Sequence, residues 1–143
     1  NAEGILEFRV RRLLQNSSWS VTKTDVLSNP GNYFINNKWP LAAWDAYGHI
    51  TGAFRIDENL KITGLKNLDP SKTVVTYCYT GQTSAITTAW LNALGFDNAK
   101  SLMFGVNGIA HSVMVDGTAG SANKKSWQGE GSASELNLGY YEA

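Results

Sequence analysis

The residues best suited to chemistry lie in the stretch "TVVTYCYTGQTSA", residues 73–85, which contains Cys78, the only cysteine of the chain. An apolar run rich in β-branched residues precedes Cys78, and a helical pattern follows it. A thiolate is a strong nucleophile, so a cysteine at such a turn is a candidate for covalent catalysis. A single cysteine also excludes a disulfide within the chain.

The loop after Cys78 has the composition of an anion-binding turn. Gly81 can adopt a positive φ angle, and Thr80, Thr83 and Ser84 provide hydroxyl donors. The backbone N–H groups of such a turn and the positive end of the next helix would favour the thiolate and hold a substrate anion. The residues alone leave a second interpretation open, in which Cys78 is a small buried side chain at the end of a strand.

The remaining sequence alternates short strand patterns with short helical patterns. Strands are predicted for "SWSV", "NYFIN", "GAFRI", "TVVTY" and "AKSLMF", and helices for "ILEFRVRRLL", "TKTDVLSNPG", "AAWDAY", "ITGLKNL", residues 84–94 and "VNGIAHSVMV". This alternation predicts an α/β fold, a doubly wound central parallel sheet flanked by helices on both faces. Ligands of such sheets gather at the carboxyl ends of the strands, which is where Cys78 lies.

Two helical patterns predict which side chains face the core. The opening helix places Ile5, Phe8 and Leu13 on one stripe, and we expect it to cover part of the core. In the helix after the cysteine loop, apolar residues recur at helical spacing and are expected to form the buried face: Ile86, Ala89, Trp90, Ala93 and Leu94.

Size and charge narrow the class of protein. The chain has 143 residues, 43% of them hydrophobic, with 12 basic and 12 acidic side chains, which suits one domain with an ordinary core. Basic residues cluster no further than pairs, so we expect no nucleic acid and no anionic membrane surface as partner. No apolar run reaches the roughly 18 residues of a membrane span, and no signal peptide is visible, which predicts a soluble chain of open localisation.

The organisation of the chain is predicted to have three parts. Residues 1–17 are interpreted as an N-terminal helical extension, residues 18–116 as the α/β domain, and residues 117–143, rich in Gly, Ser and Ala, as a tail or linker. The start at Asn1, without methionine, indicates a processed or excised piece of a larger or exported protein.

Two motifs resemble those of the rhodanese family. The stretch "VVTYCYTGQTSAITTAWLNALGFDNAKSLMFGVNGI" is similar to that family's active-site loop with the helix and strand after it. The upstream "YGHITGAFRID" resembles the family motif Gly-His-Ile-Pro-Gly-Ala. Both lie in the expected order and spacing within residues 18–115, so the resemblance implies a doubly wound α/β sulfurtransferase domain.

The resemblance also implies roles for individual residues. Cys78 matches the cysteine that takes sulfane sulfur from a donor as a persulfide and passes it to a thiophilic acceptor. His49 and Gly52 match the upstream motif, where a structural role is implied. The substrate-binding residues that the resemblance implies are those of the loop and its first helical position: Tyr79, Thr80, Gly81, Gln82, Thr83 and Ser84.

The implied chemistry requires no metal and no organic cofactor. Its partners would be a small sulfur donor, such as thiosulfate, mercaptopyruvate or a persulfide, and a thiophilic acceptor that is a small molecule or a protein thiol. His49 and His111 lie far apart in the sequence, and no Cys-x-x-Cys or His-x-x-x-His pattern supports a metal site.

Several positions depart from the family pattern. Asn36 and Lys38 stand where the family often has an Asp-x-Arg pair, and Thr51 replaces the motif proline. Thiosulfate-specialised members place Arg and Lys inside the loop, where this chain has Tyr79 and Thr80. We therefore expect a weakened supporting network and leave the sulfur donor open.

Two other functions compete with sulfur transfer. A cysteine phosphatase needs an arginine six positions after its cysteine to bind phosphoryl oxygens, and that position here is Ser84. The domain could instead be a non-catalytic adaptor or sensor module of a larger protein, although the retained Cys78 favours catalysis.

Overall fold

The computed structural model describes residues 1–56, 62–111 and 141–142. Its helices are α1 (Ala2–Gln15), α2 (Lys23–Ser28), α3 (Leu41–Tyr47), α4 (Ile62–Leu65) and α5 (Gln82–Leu94). Its strands are β1 (Ser20–Val21), β2 (Tyr33–Asn37), β3 (His49–Ile50), β4 (Phe54–Arg55), β5 (Thr73–Tyr77), β6 (Lys100–Leu102) and β7 (Tyr141–Glu142).

Five of these strands form one parallel sheet in the order β1, β6, β5, β2, β4. Strand β5 is central and pairs with β2 along its whole length, from Tyr33 beside Thr73 to Asn37 beside Tyr77. The prediction of a parallel sheet flanked by helices is confirmed. Because β5 lies in the middle of the sheet, the residue that follows it, Cys78, is set at the centre of the carboxyl edge.

Both faces of the sheet are covered, as the apolar run of β5 requires. On one face, Val75 and Tyr77 pack with residues of α2 and α3. On the other face, Val74 packs with Leu91 of α5 and with Ala99. Successive side chains of a strand point to opposite faces, so the unbroken "TVVTY" pattern supplies both cores at once.

Helix α5 buries a different face from the one its apolar pattern predicts. Ile86 is 62% exposed and Trp90 is 59% exposed, so this part of the prediction is wrong. The buried residues of α5 are mostly small and polar: Ser84, Thr87, Thr88, Leu91 and Asn92.

Internal hydrogen bonds explain how α5 can bury polar side chains. The Thr87 hydroxyl donates to the carbonyl of Thr83 at 3.0 Å. The Asn92 amide donates to the carbonyls of Thr88 (2.9 Å) and Ala99 (3.1 Å). Because these groups are satisfied within the fold, burying them costs far less than burying unpaired polar groups.

Helix α1 packs against α5 without entering the core. None of its residues is buried, and Phe8 is 63% exposed, which contradicts the expected core-covering stripe. Polar contacts hold it instead: the Arg9 guanidinium donates to the carbonyl of Ala93 at 3.4 Å, and Arg12 pairs with Asp97 at 2.6 Å.

Two further segments differ from, or add to, the sequence prediction. The last predicted helix spans residues 106–115, of which the structure describes residues 106–111. These form no α-helix, and Gly105–Gly108 form a short 3-10 turn instead. Residues 112–115 lie outside the described residues. Strand β7 pairs antiparallel with β3, with Glu142 opposite His49 and Tyr141 opposite Ile50. The rest of the predicted tail, residues 117–140 and 143, lies outside the described residues.

Candidate active site

The sulfur of Cys78 lies in a turn of backbone N–H groups between β5 and α5. The residue is only 2% exposed. Its Sγ accepts the N–H of Gly81 at 3.3 Å and the N–H of Ser84 at 3.4 Å. Gly81 precedes α5 and has a φ angle of 96°, a left-handed conformation that glycine adopts without strain. The sulfur thus receives two amide donors at the positive end of a 13-residue helix.

The carbonyl groups of the same loop are bonded on its other side. The N–H of Val106 donates to the carbonyl of Cys78 at 2.9 Å. The carbonyl of Tyr79 accepts the N–H of Asn107 at 3.0 Å and its side-chain amide at 2.7 Å. The 3-10 turn of Gly105–Gly108 therefore fixes the two peptides that follow Cys78 and satisfies both of their carbonyls.

This turn approaches the loop closely because residue 105 has no side chain. A Cβ atom on Gly105 would lie 2.7 Å from the carbonyl carbon and oxygen of Tyr79, and closer still to the carbonyl oxygen of Cys78. Phe104, the residue before it, has a φ angle of 66°, which is unusual for a residue with a bulky side chain. Such a conformation persists only where the surrounding structure fixes it.

Aromatic packing holds one side of the loop. The ring of Tyr79 stacks on that of Trp39, with centroids 5.0 Å apart and planes 15° apart. The ring of Tyr47 packs edge-on against the ring of Tyr79, with centroids 6.3 Å apart. Trp39 and Tyr47 are buried, so the side chain next to Cys78 is tied to the core.

The remaining predicted site residues differ in burial. Thr80 is partly buried, and Gln82 and Thr83 are exposed. Ser84 is buried, and its hydroxyl lies 2.9 Å from the carbonyl oxygen of Gly81. The structure therefore brings Ser84 to Cys78, and it leaves the Gln82 and Thr83 side chains at the surface.

The upstream motif contacts the end of β5 from β3, a strand outside the five-stranded sheet. His49 stacks on Trp44, with ring centroids 3.7 Å apart, and Gly52 turns the chain with a φ angle of 74°. Between them, the N–H of Ile50 donates to the hydroxyl of Tyr77 at 3.1 Å. Burial raises the pKa of Tyr77 well above the ordinary tyrosine value, so this hydroxyl stays neutral where it accepts the N–H of Ile50.

Two of the three positions that depart from the family pattern lie at the carboxyl end of β2, a central strand. The side-chain amide of Asn36 is buried and donates to the hydroxyl of Thr76 at 3.1 Å. The N–H of Lys38 donates to the carbonyl of Tyr77 at 3.0 Å. Thr51 is exposed in the turn after β3.

Sequence reasoning missed several residues that shape the loop. Asn107 and Val106 bond its carbonyls, Trp39 supports Tyr79, and the hydroxyl of Ser101 in β6 lies 2.8 Å from that of Ser84. A tryptophan two residues after the end of β2 was a visible signal. The other contacts join the cysteine loop and the first turn of α5 to β6 and to the 3-10 turn after it, and local spacing gives no rule for such contacts.

The described residues contain neither a cluster of metal-ligating side chains nor a helix suited to a membrane. Within residues 1–56, 62–111 and 141–142, no three side chains from His, Cys, Asp and Glu come together as metal ligands would. Among the helices of these ranges, none combines the length and apolar character needed to cross a membrane.

Comparison with known proteins identifies the family. The sequence profile of the rhodanese-like domain matches residues 30–112, more than half of the chain. The chain belongs to the rhodanese-like domain family. The comparison with curated proteins gives no match.

Solved structures agree with this assignment. A rhodanese-related protein from Thermoplasma volcanium is 23% identical over 61% of this chain and 85% of its own, with a TM-score of 0.55. The BH2092 protein from Bacillus halodurans is 22% identical over 68% of this chain and 74% of its own, with a TM-score of 0.54. A protein from Lactobacillus plantarum is 26% identical over 71% of this chain and 90% of its own, with a TM-score of 0.53. These similarities show the rhodanese-like α/β fold.

Proposed function

We propose that this rhodanese-like domain is a sulfurtransferase that carries sulfane sulfur as a persulfide on Cys78. The observation that carries the proposal is the pair of N–H groups, from Gly81 and Ser84, that point at Sγ from the beginning of α5. Donors placed in this way stabilise negative charge on sulfur, both on the attacking thiolate and on a persulfide anion.

The proposed reaction has two steps. In the first, the Cys78 thiolate attacks the sulfane sulfur of a donor, and the donor's bond to that sulfur breaks and leaves its electron pair on the departing group. In the second, a thiophilic acceptor attacks the outer sulfur, and the sulfur–sulfur bond breaks to return the Cys78 thiolate. Atoms and charge balance without a metal or an organic cofactor.

The loop side chains bear on the choice of donor. The residues after Cys78 carry no charge, and the ring of Tyr79 is held against Trp39. A dianion such as thiosulfate would bind mainly through backbone N–H groups, without a bidentate arginine contact. We propose thiosulfate, mercaptopyruvate or a small persulfide as donor, and a small thiol, cyanide or a protein thiol as acceptor.

Intact-protein mass spectrometry tests this function. The reduced protein is incubated with each donor class and then with cyanide, beside the variant Cys78→Ser, which has no thiol. The expected result is a gain of about 32 Da, one sulfur, that cyanide removes and the variant never shows.

The opposite outcome would support the adaptor function. A folded wild-type protein that gains no sulfur from any of the three donors, while its thiol remains free to react with iodoacetamide, would refute sulfur transfer. Circular dichroism of both proteins provides the folding control, since serine differs from cysteine by one atom at a buried position.

A further inference from the structure

Two buried serine hydroxyls, those of Ser84 and Ser101, are linked to the sulfur of Cys78. The thiol lies 3.7 Å from the hydroxyl oxygen of Ser84, which is fully buried. That oxygen is 2.9 Å from the carbonyl oxygen of Gly81 and 2.8 Å from the hydroxyl oxygen of Ser101. Ser101 is 7% exposed, and its own hydroxyl lies 3.5 Å from the same carbonyl. Sulfur, two hydroxyls and one carbonyl therefore form a continuous hydrogen-bonded group.

The number of protons in this group changes with the state of Cys78. Each serine hydroxyl has one proton to donate. When Cys78 is a thiol, its S–H donates to Ser84, and the Ser84 hydroxyl is free to donate to the carbonyl of Gly81. When Cys78 is a thiolate, the sulfur needs the Ser84 proton. The carbonyl of Gly81 then loses its Ser84 donor and keeps the N–H of Ala85, at 3.0 Å.

Ser101 compensates for this loss in either of two ways. Its hydroxyl can donate to the Gly81 carbonyl in place of Ser84, or it can donate to Ser84 and so orient the Ser84 proton toward sulfur. Because both serines are shielded from solvent, the Ser101 hydroxyl and not a water molecule has to replace the donor that the Gly81 carbonyl loses.

We propose that Ser101 is a positioning residue that acts through Ser84 to stabilise the thiolate of Cys78. The proposal rests on the proposed function only in treating Cys78 as the reacting group, because its ionisation can be measured without any sulfur donor. A residue of β6 would thus set the reactivity of a cysteine that follows β5.

The test is the rate of Cys78 alkylation by iodoacetamide as a function of pH, measured on the full chain. Removing one hydrogen bond of this kind changes an equilibrium, here the ionisation of the Cys78 thiol, by about two- to tenfold. Ser101→Ala should therefore slow alkylation at neutral pH by about that factor and move the half-maximal rate to higher pH. Ser101→Thr keeps the hydroxyl and should restore most of the wild-type profile. Thr88→Val is the matched control, since it removes a buried hydroxyl of α5 that has no hydrogen-bond partner among the described residues.

A double-mutant cycle separates this role from a general loosening of the loop. If Ser101 acts through Ser84, then adding Ser101→Ala to Ser84→Ala should produce no further shift. An unchanged profile for Ser101→Ala, or an equal shift for Thr88→Val, would overturn the proposal, as would full additivity of the two serine variants. A shifted profile in a protein that accepts no sulfur would support the role of Ser101 and refute the sulfurtransferase function.

Discussion

The close approach of Gly105 to the cysteine loop makes Gly105→Ala the most informative single substitution. The new Cβ would overlap the carbonyl oxygen of Cys78 and would lie 2.7 Å from the carbonyl group of Tyr79, all of them backbone atoms. The φ angle of 58° also places the alanine in the left-handed region. That conformation costs an L-residue about 1–2 kcal/mol, and overpacking costs about 1–3 kcal/mol, so we expect a loss of roughly 2–5 kcal/mol in the free energy of unfolding.

The same substitution should also affect the sulfur. If the turn moves away to relieve the overlap, the N–H groups of Val106 and Asn107 lose their bonds to the loop carbonyls. The peptides that follow Cys78 are then free to rotate, and sulfur loading should slow together with the loss of stability.

Urea unfolding followed by circular dichroism measures the stability, and mass spectrometry measures the loading. Gly31→Ala is the matched control, because its Cβ would meet no atom within 4 Å. If the Gly105 variant unfolds within about 0.5 kcal/mol of the Gly31 variant, the reasoning from close contact is wrong.

Two further predictions concern the core. Burial raises the pKa of Tyr77 above the ordinary tyrosine value of about 10, so its contribution to stability is complete below that pH and falls as the pH rises further. In urea unfolding between about pH 8 and 11, Tyr77→Phe should lose less stability with rising pH than the wild type, and equal slopes would contradict this origin. On α5, Leu91→Ala should cost about 2–5 kcal/mol because the leucine is fully buried, whereas Trp90→Gln should cost less than about 0.5 kcal/mol. Equal losses would contradict the orientation of the helix.

The sequence was sufficient for the sheet and for the position of the sulfur. The short β-branched run of β5 predicts a strand that is covered on both faces, and Gly81 marks the turn that follows it. The order of alternating elements then leads to a parallel sheet.

The orientation of α5 could not be read in the same way. Hydrophobic periodicity assumes that apolar residues seek the core, but here Thr87 and Asn92 are buried with bonds inside the fold, and Trp90 remains exposed. Strand β7 has two residues in its ladder, too few for any period to show. The role of Ser101 was not predicted because its partner, Ser84, is 17 positions away, in the first turn of α5, and the two meet only when α5 packs on β6.

The stacked pair of Trp39 and Tyr79 gives the domain an optical probe beside its sulfur. Tyr79 follows Cys78 directly, and its ring lies parallel to a fully buried indole at 5.0 Å. Rings fixed in this way contribute to near-ultraviolet circular dichroism and exchange excitation energy efficiently. A shift of the loop on loading would therefore change an intrinsic signal, and the occupancy of Cys78 could be followed in real time without a label.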